Sequence, residues 1–400
     1  MPGSHHPLTD ALLDPATYAG DMHAVLGPLR AEAALTWNGT KGFWAVTRHA
    51  EVCEASSDPG RFCSGRGILL DEIGVDYDTP PTMMHADPPA HTRYRTLVRP
   101  GFTNAVVRGL EPLVRERTAR VLDALATKAA GGRPVDVTTE LAVPLPLQLI
   151  AQLLGLPPGD EERLFRWSEA AIPGATDWPA DERMALLGEM TVELLGVAAS
   201  RRAEPRDDVV SMLAGYSEDG ESLSEAELGM FLVQLLVAGN ETTRNAISGG
   251  LVALAEHPEQ LTRLAGDRSL VPSAVEEVLR WTTPVTSFMR TAVADTVLGG
   301  TAVAAGDPLL LVYAAANRDP EEFGPSAGAF DVGRMPNHHV ALGHGPHFCL
   351  GAALARLELA VVLEGVTERW SRLRPAGPVV RSGSAVISGI KAAPLILEAA

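Results

Sequence analysis

The chain has 400 residues, of which 46% are hydrophobic and 21% charged, and its formal net charge is −17. So acidic a protein is a poor partner for nucleic acid or for an anionic membrane surface. The chain has three cysteines and no CxxC pair, which argues against a disulfide framework and a tetrahedral zinc site and fits a reducing cytoplasm. The N-terminus lacks a basic segment followed by an apolar core, and no run approaches about 18 consecutive apolar residues. We therefore expect neither a secretory signal nor a membrane span.

The first half of the chain mixes one strand pair with helical stretches. Residues 33–48 read AALTWNGTKGFWAVTR, in which an Asn-Gly turn separates two alternating runs, a pattern typical of a β-hairpin. Glycine, proline and acidic residues dominate from Gly65 to Pro89, which predicts a long and therefore functional loop. From His91 to about Ser200 the pattern is mostly helical.

The longest predicted helix begins after Ser224 and ends before Pro258. Ser224 and Glu227 have the spacing of a capping box, and apolar residues then continue until the proline. About 33 residues at a rise of ~1.5 Å give a length of roughly 50 Å. A helix so long and so apolar is expected to run through the middle of a large domain.

The rest of the chain alternates between helical and extended patterns. A helix at SAVEEVLRW precedes a β-like region, a meander rich in proline and glycine, and a glycine-rich loop followed by a helix. Residues 381–400 have the pattern of a hairpin. No linker separates independent domains, so we predict one mainly α domain over residues 1–400. Its helical part is expected at 90–282 and 350–372, and its smaller β-rich part at about 30–65, 285–315 and 376–400.

A lone cysteine in the glycine-rich loop is the strongest chemical signal. Cys349 follows Gly343 and Gly345, and the first amides of the next helix are expected to point at its sulfur, which favours a thiolate. Glycine lets such a loop approach a broad group that a Cβ would strike. Two other interpretations remain at this point. One is a buried structural cysteine, and the other is a Cys–His hydrolase with His347 as base, although no third orienting residue is evident.

Residues 343–351, GHGPHFCLG, resemble the haem-binding loop of the cytochrome P-450 haem-thiolate monooxygenases, roughly Phe-Gly-x-Gly-x-His-x-Cys-x-Gly. The resemblance implies a cytochrome P-450 fold and haem b (iron protoporphyrin IX) as cofactor. It implies that Cys349 is the proximal ligand of the iron, that His347 pairs with a propionate and that Gly351 belongs to the cofactor-binding loop. A thiolate ligand donates electron density to the iron and favours O–O cleavage. Leu342 stands where the family usually has phenylalanine, which bears on the haem potential rather than on ligation.

A second stretch, AGNETTRNA at residues 238–246, interrupts the apolar long helix. Gly239 weakens a helix, and a threonine hydroxyl can bond the carbonyl four residues back and bend it. A solvated kink is the simple interpretation, although the apolar flanks argue against solvent. The stretch resembles the family's Ala-Gly-x-Asp/Glu-Thr element. That resemblance implies that Ala238 lies at the haem, that Thr242 donates a hydrogen bond where dioxygen is activated and that Glu241 helps to deliver protons.

Three basic residues are assigned to the two haem propionates by resemblance. His91 and Arg95 lie four residues apart in a stretch that resembles the family's haem-contacting helix after a Pro-Pro turn. Arg290 precedes a β-like region, as the family's other propionate arginine does. Guanidinium groups suit carboxylates, although each residue could also be an ordinary surface group.

Three other residues match the family's structural ion-pair network. Glu277 and Arg280 have a spacing that is usually found on solvated helix surfaces. In this context they match the family's Glu-x-x-Arg element, and Arg334 matches the partner of that element in the meander. The implied role is to hold the segment beneath the haem.

The resemblance implies a monooxygenase that hydroxylates or epoxidises an apolar small molecule with dioxygen. Two electrons must come from outside, because the chain is short for a fused flavin reductase and no GxGxxG follows a strand. We expect a ferredoxin with its reductase as the donor and favour a flavodoxin less. Arg93, Arg356 and Arg372 are candidates for the docking patch.

The substrate is the least defined part of the prediction. By family position, the Gly65–Met84 loop should cover the pocket, and its walls should be Gln234, Val237, Val285, Phe288, Val386 and Ile387. Gln234 is either an ordinary glutamine or a hydrogen-bond partner for a substrate oxygen. AGNETTRNAIS looks most like the bacterial branch that oxidises sterols and branched-chain lipids, which favours a steroid, branched lipid or terpenoid.

Other functions stay open on the sequence alone. A polyketide or macrolide tailoring monooxygenase is the alternative within the family. A peroxide-using haem enzyme and a non-catalytic haem-binding protein are the alternatives outside monooxygenation.

Overall fold

The computed structural model describes residues 4–75, 82–156, 161–172, 178–206, 208–217 and 220–400. Its helices in chain order are α1 Pro15–Ala19, α2 His23–Glu32, α3 His49–Ser57, α4 Ala90–Val98, α5 Asn104–Ala129, α6 Pro144–Leu153, α7 Glu161–Ala171, α8 Ala180–Ala203, α9 Val209–Gly215, α10 Glu225–Glu256, α11 Pro258–Gly266, α12 Val271–Thr282, α13 Tyr313–Ala316, α14 Pro320–Phe323 and α15 Ala352–Arg369. Its strands are β1 Leu35–Asn38, β2 Phe43–Val46, β3 Phe62–Cys63, β4 Val135–Asp136, β5 Ser287–Ala292, β6 Thr296–Leu298, β7 Thr301–Val303, β8 Pro308–Val312, β9 Trp370–Pro375, β10 Val380–Arg381, β11 Ile390–Ala392 and β12 Pro394–Ala399.

The chain divides into two units, which are described separately. The β-rich unit comprises Met1–His91, Pro272–Cys349 and Val380–Gly389. The helical unit comprises Thr92–Val271, Leu350–Val379 and Ile390–Ala400. That residues 1–400 act as one domain stays a prediction.

A five-stranded sheet organises the β-rich unit, in the order β1-β2-β8-β5-β3. The predicted hairpin is present, since β1 and β2 pair antiparallel with Leu35 opposite Val46. Alternate residues of the sheet belong to two separate cores, with Trp44 in one and Phe43 in the other. Because both faces are covered, the central strands β5 and β8 are almost wholly buried.

Helix α10 runs through the helical unit. It begins after Ser224, whose side chain forms the predicted capping box with Glu227, and it ends one residue before His257. Within the unit it packs against α6, α8, α15 and β9. The predicted long helix is therefore confirmed in both position and extent.

The C-terminal strand has a partner that the sequence did not indicate. β12 pairs antiparallel with β9 and with β4. Both of these strands lie outside residues 381–400, where the sequence predicted a hairpin. Leu395 and Leu397 are buried in this three-stranded sheet of the helical unit. Alternation of apolar residues predicted a strand here, but alternation does not identify the strand that it pairs with.

The predicted loop from Gly65 to Pro89 is held by a partly buried carboxylate where the structure describes it. Glu72 accepts hydrogen bonds from the amides of Ile68 and Leu69 and from His85. Residues 76–81 of this loop lie outside the described residues. Among the helices of the described segments, none is long and apolar enough to cross a membrane.

A buried ion-pair network joins α12 to the meander that precedes the cysteine loop. Glu277 and Arg280 have no exposed side-chain surface, and Arg334 is 8% exposed. The Glu277 carboxylate accepts hydrogen bonds from both guanidinium groups and from the amide of Asp331. Arg280 also donates to the carbonyl groups of residues 317, 327 and 329. The spacing Glu-x-x-Arg, usually a surface feature, is here the centre of a network in the β-rich unit.

We predict that Glu277→Gln destabilises the protein by about 3–5 kcal/mol, because two buried guanidinium groups lose their carboxylate. The matched control is Glu368→Gln, which breaks an exposed pair with Arg268 and should cost about 1 kcal/mol or less. Denaturant titration of both variants measures the difference. Equal unfolding midpoints would contradict the role assigned to this network.

Candidate functional site

The cysteine loop is shaped by glycines that need left-handed backbone angles. Gly343 and Gly345 have φ angles of +74° and +69°. A Cβ on Gly345 would lie 2.5 Å from the carbonyl oxygen of Ser56. The Cys349 amide donates to the Leu342 carbonyl at 2.8 Å, which closes the loop. Cys349 is half-buried and takes part in no disulfide.

Two of the residues predicted to bind propionates have rings that lie against each other in the β-rich unit, with an angle of 45° between the ring planes. The rings of His91 and His347 lie 4.2 Å apart between centroids. Nε2 of His347 lies 3.3 Å from the Ser64 hydroxyl. Asp87 accepts hydrogen bonds from the amides of Ser64 and Gly65, both at 2.8 Å. Asp87, which the sequence analysis did not single out, therefore fixes the backbone next to Ser64.

Arg290 is a buried guanidinium on the central strand β5. It is 4% exposed, and its Nη1 donates to the carbonyl of Met289 at 2.7 Å. Within the part of the chain that the structure describes, Arg290 forms no ion pair with a carboxylate. A buried cation without a counter-charge is costly, so this position favours an acidic group on a ligand.

Four of the six predicted pocket residues come together in the β-rich unit. Val285 and Ile387 form an antiparallel bridge, and the Thr286 amide donates to the carbonyl of Val386 at 2.8 Å. Phe288 follows on β5, on the same face as Arg290. Val285, Phe288 and Val386 are only partly buried, so these three side chains form an apolar edge.

The other two predicted pocket residues, Gln234 and Val237, lie on α10 and are half-buried. Gln234, Ala238 and Thr242 are spaced by four residues and so share one face of the helix. Ala238 is exposed and the other two are half-buried, although most of α10 beyond them is buried. The Thr242 hydroxyl donates to the Ala238 carbonyl at 2.7 Å, which is the hydrogen bond expected from the sequence.

Glu241 points into a buried charged cluster. Its Oε1 accepts hydrogen bonds from Arg244 and Asn245, on the next turn of α10. Arg244 also donates to Glu169 of α7 at 2.8 Å. The pKa of Glu241 is raised to about 7, chiefly by burial; the positive charge of Arg244 lowers this pKa, and the negative charge of Glu169 raises it. Glu241 and Thr242 are neighbours in the chain, but their side chains bond to different groups.

The remaining predicted residues have the following positions. Arg95 is half-buried in α4, the helix that also contains His91. Gly351 caps the N-terminus of α15 with an ordinary φ of −84°. Arg93, a docking candidate, is paired with Glu221 and Glu227.

Sequence reasoning missed three charged groups of the helical unit. Arg244 lies three residues after Glu241, a spacing that the sequence does contain. Glu169 comes from a distant helix, and no local pattern points to it. Glu358 of α15 is 2% exposed, and burial raises its pKa to about 8. The sequence of α15 is mostly apolar, and no pattern in it indicates which of its glutamates faces the interior.

We predict that Gly345→Ala destabilises the protein by at least about 2 kcal/mol. An alanine at positive φ costs about 1–2 kcal/mol, and the contact with Ser56 adds to it. Gly328→Ala is the control, because Gly328 is exposed, has an ordinary φ and would place its Cβ in open space. That variant should change stability by no more than about 0.5 kcal/mol. Equal thermal midpoints for the two variants would contradict the loop geometry.

Comparison with known proteins gives consistent matches. Residues 184–375 match the family description "Cytochrome P450". A steroid C26-monooxygenase of Mycolicibacterium smegmatis is 36% identical over 362 residues, covering 88% of this chain and 83% of its own. A methyl-branched lipid omega-hydroxylase of Mycobacterium tuberculosis is 38% identical over 367 residues, covering 88% and 84%. The crystal structure of CYP108D1 from Novosphingobium aromaticivorans is similar over 100% of both chains, with 32% identity and a TM-score of 0.90.

The matches to the two relatives and to the solved structure extend over most of the chain and agree with the described helices and small sheets. They confirm the predicted fold class, the predicted enzyme class and the predicted cofactor, and they leave no place for a Cys–His hydrolase. The chain belongs to the cytochrome P450 family, whose members are haem b monooxygenases.

Proposed function

We propose that Cys349 would hold the iron of haem b as a thiolate and that His91, Arg95, Arg290 and His347 would bind its two propionates. The observation that carries this assignment is Arg290, a buried guanidinium with no carboxylate partner among the described residues. A propionate would supply the missing negative charge. The glycine loop supports the thiolate assignment, since its backbone angles exclude the Cβ atoms that would hinder a close approach. When bound, the haem supplies the oxygen-activating chemistry.

The reaction consumes protons that the protein must deliver. Insertion of one oxygen atom of dioxygen into a C–H bond, with the other atom leaving as water, takes up two electrons and two protons. We assign Glu241 to proton supply and Thr242 to hydrogen-bond donation where dioxygen is activated, for which its hydroxyl hydrogen must leave the Ala238 carbonyl. Glu241 suits this role because a carboxyl whose pKa lies near 7 both holds and releases a proton at neutral pH.

We propose that the substrate is a steroid or a methyl-branched lipid. Two relatives with more than a third of their residues identical act on molecules of these two kinds, by their names. The partly buried edge formed by Val285, Phe288 and Val386 is apolar, as expected for a pocket that removes a lipid from water. Gln234 is a half-buried polar residue on the face of α10 that also carries Ala238 and Thr242, and we assign it to a substrate oxygen. Residues 76–81 of the loop that should cover the pocket lie outside the described residues.

The electron donor is proposed to be a ferredoxin with its reductase, acting in the cytoplasm. A ferredoxin is acidic and this chain is acidic too, so docking requires a local basic patch. Arg93 is a weaker candidate for that patch than the sequence suggested, because two glutamates already balance its charge. Arg372 on β9 is exposed and stays a candidate, as does Arg356.

An optical titration of the ferric holoprotein tests the substrate class. We predict a saturable low-to-high spin shift with a steroid or a methyl-branched fatty acid, because an apolar ligand that fills the pocket excludes water from the iron. A straight-chain fatty acid of equal length is the matched control. Gln234→Leu should weaken binding of an oxygenated ligand about fivefold to tenfold, and binding of the parent hydrocarbon much less.

Other outcomes of this titration point to other functions. A shift with macrolactones alone would replace the lipid proposal with the tailoring alternative. Turnover with peroxide but not with ferredoxin and NAD(P)H would indicate a peroxide-using enzyme. Equal effects of Gln234→Leu on both ligands would remove Gln234 from the site.

A further inference from the structure

Three buried charged groups lie together where α7 meets α10 in the helical unit. The side chains of Glu169, Arg244 and Glu241 are 10%, 7% and 2% exposed. Arg244 bridges the two carboxylates and also lies over the ring of Phe165, with its guanidinium carbon 5.6 Å from the ring centre. We call Glu169, Arg244 and Glu241 the acid cluster.

The charges of the acid cluster do not balance when both carboxyl groups are ionised. Two carboxylates and one guanidinium leave one excess negative charge in a region shielded from water. Such a charge is unfavourable, and one bound proton removes it. Among the described residues, Arg244 on the same helix and Glu169 on α7 are the charged groups that act on Glu241.

The proton belongs on Glu241 rather than on Glu169. Glu241 is the more deeply buried of the two. Its Oε2 is buried and has no hydrogen-bond partner among the described residues, whereas Oε1 accepts two bonds. An oxygen that accepts no hydrogen bond gains little from being charged, so it is the favoured position for the proton.

Helix α7 is held at this point by a second, uncharged contact. Asn240 donates from Nδ2 to the Ser168 hydroxyl at 2.9 Å, and both residues are fully buried. Residues 168 and 169 of α7 are therefore tied side by side to residues 240 and 244 of α10. The position of α7 sets the distance between the Glu169 carboxylate and the acid on α10.

We propose that Glu169 is a positioning residue which, through Arg244, keeps one exchangeable proton on Glu241 beside Thr242. The cluster supplies this proton to the reaction, where it ends in water, and takes a replacement from solvent. This inference rests on the proposed function of Glu241, but its central claim concerns the protein alone.

Infrared difference titration of the resting holoprotein, without substrate or electron donor, tests this claim. The signal is the C=O stretch of a protonated carboxyl group. Because Glu358 is a second buried carboxyl with a raised pKa, all measurements are made in a Glu358→Gln background. We expect a band with a midpoint near pH 7 that Glu241→Gln removes.

The variants then separate charge from packing. Glu169→Gln removes the charge that raises the Glu241 pKa, so the midpoint should fall by about one pH unit or more. Arg244→Gln removes the opposing charge and should raise the midpoint. Ser168→Ala breaks the adjacent contact between the same two helices without changing a charge, and should leave the midpoint within about 0.3 unit. If Glu169→Gln does not fold, the rise in Arg244→Gln and the absence of a shift in Ser168→Ala still decide the proposal.

The proposal is overturned if the band persists in Glu241→Gln, or if Glu169→Gln behaves like Ser168→Ala. Once a substrate is known, the amount of product formed per NAD(P)H should decrease as the pH rises. In Glu169→Gln this decrease should occur about one pH unit lower than in the parent. If Glu169→Gln moves the infrared midpoint as expected but no tested ligand gives a spin shift, the proposed substrate class is rejected and the role of the acid cluster stands. If a ligand gives the spin shift but Glu169→Gln leaves the midpoint unchanged, the role of the acid cluster is rejected and the proposed substrate class stands.

Discussion

The completely buried carboxylate of Glu277 is the constraint on which the β-rich unit depends. It has no access to water, so its charge is stable only while Arg280 and Arg334 surround it. These two guanidinium groups in turn fix the carbonyl groups of the meander, and the meander leads directly into the loop that carries Cys349. Asn317 extends the same network, since its side chain bonds to Thr283 and to the amide of Val340. The cysteine loop therefore begins from a segment with little freedom to move.

Arg290 and the acid cluster differ from Glu277, because opposite charges among the described residues do not fully neutralise them. Arg290 has no carboxylate, and the acid cluster has one carboxylate too many. Structural charges in protein interiors are usually paired, so such imbalances indicate groups that act on ligands or protons. The contrast separates the arginines that hold the fold from the arginine that we assign to the cofactor.

Much of the architecture could be predicted from the sequence, because it follows from local patterns. The extent of α10 is set by the Ser224 cap and by Pro258, and the β1–β2 hairpin is found where the Asn-Gly pair predicted a turn, with residues 39–42 as its connection. The partner of β12 could not be predicted, since strand pairing over a long stretch of chain depends on tertiary packing. The division into two units could not be predicted either, because no change of composition along the chain marks the boundaries between them.

The site was predictable only where chemistry coincides with a short motif. Cys349, His347 and Thr242 lie in such motifs, and the roles assigned to them stay predictions. The orientation of Glu241 was not predictable, because it depends on Glu169, which is 72 residues away in the sequence. Asp87 was missed for the same reason, since its partners at 64 and 65 are adjacent to it only in the fold.

The measurement that tests the central claim most directly is the absorption spectrum of the reduced, carbon monoxide-bound protein in Cys349→Ser. Cys53→Ser and Cys63→Ser are the controls, because each removes a thiol that belongs to the same unit but lies outside the cysteine loop in the sequence. We predict a red-shifted, thiolate-type band in the parent and in both controls, and its loss in Cys349→Ser. A thiolate-type band that survives in Cys349→Ser, or its absence from the parent protein, would contradict the assignment of Cys349 as the axial ligand.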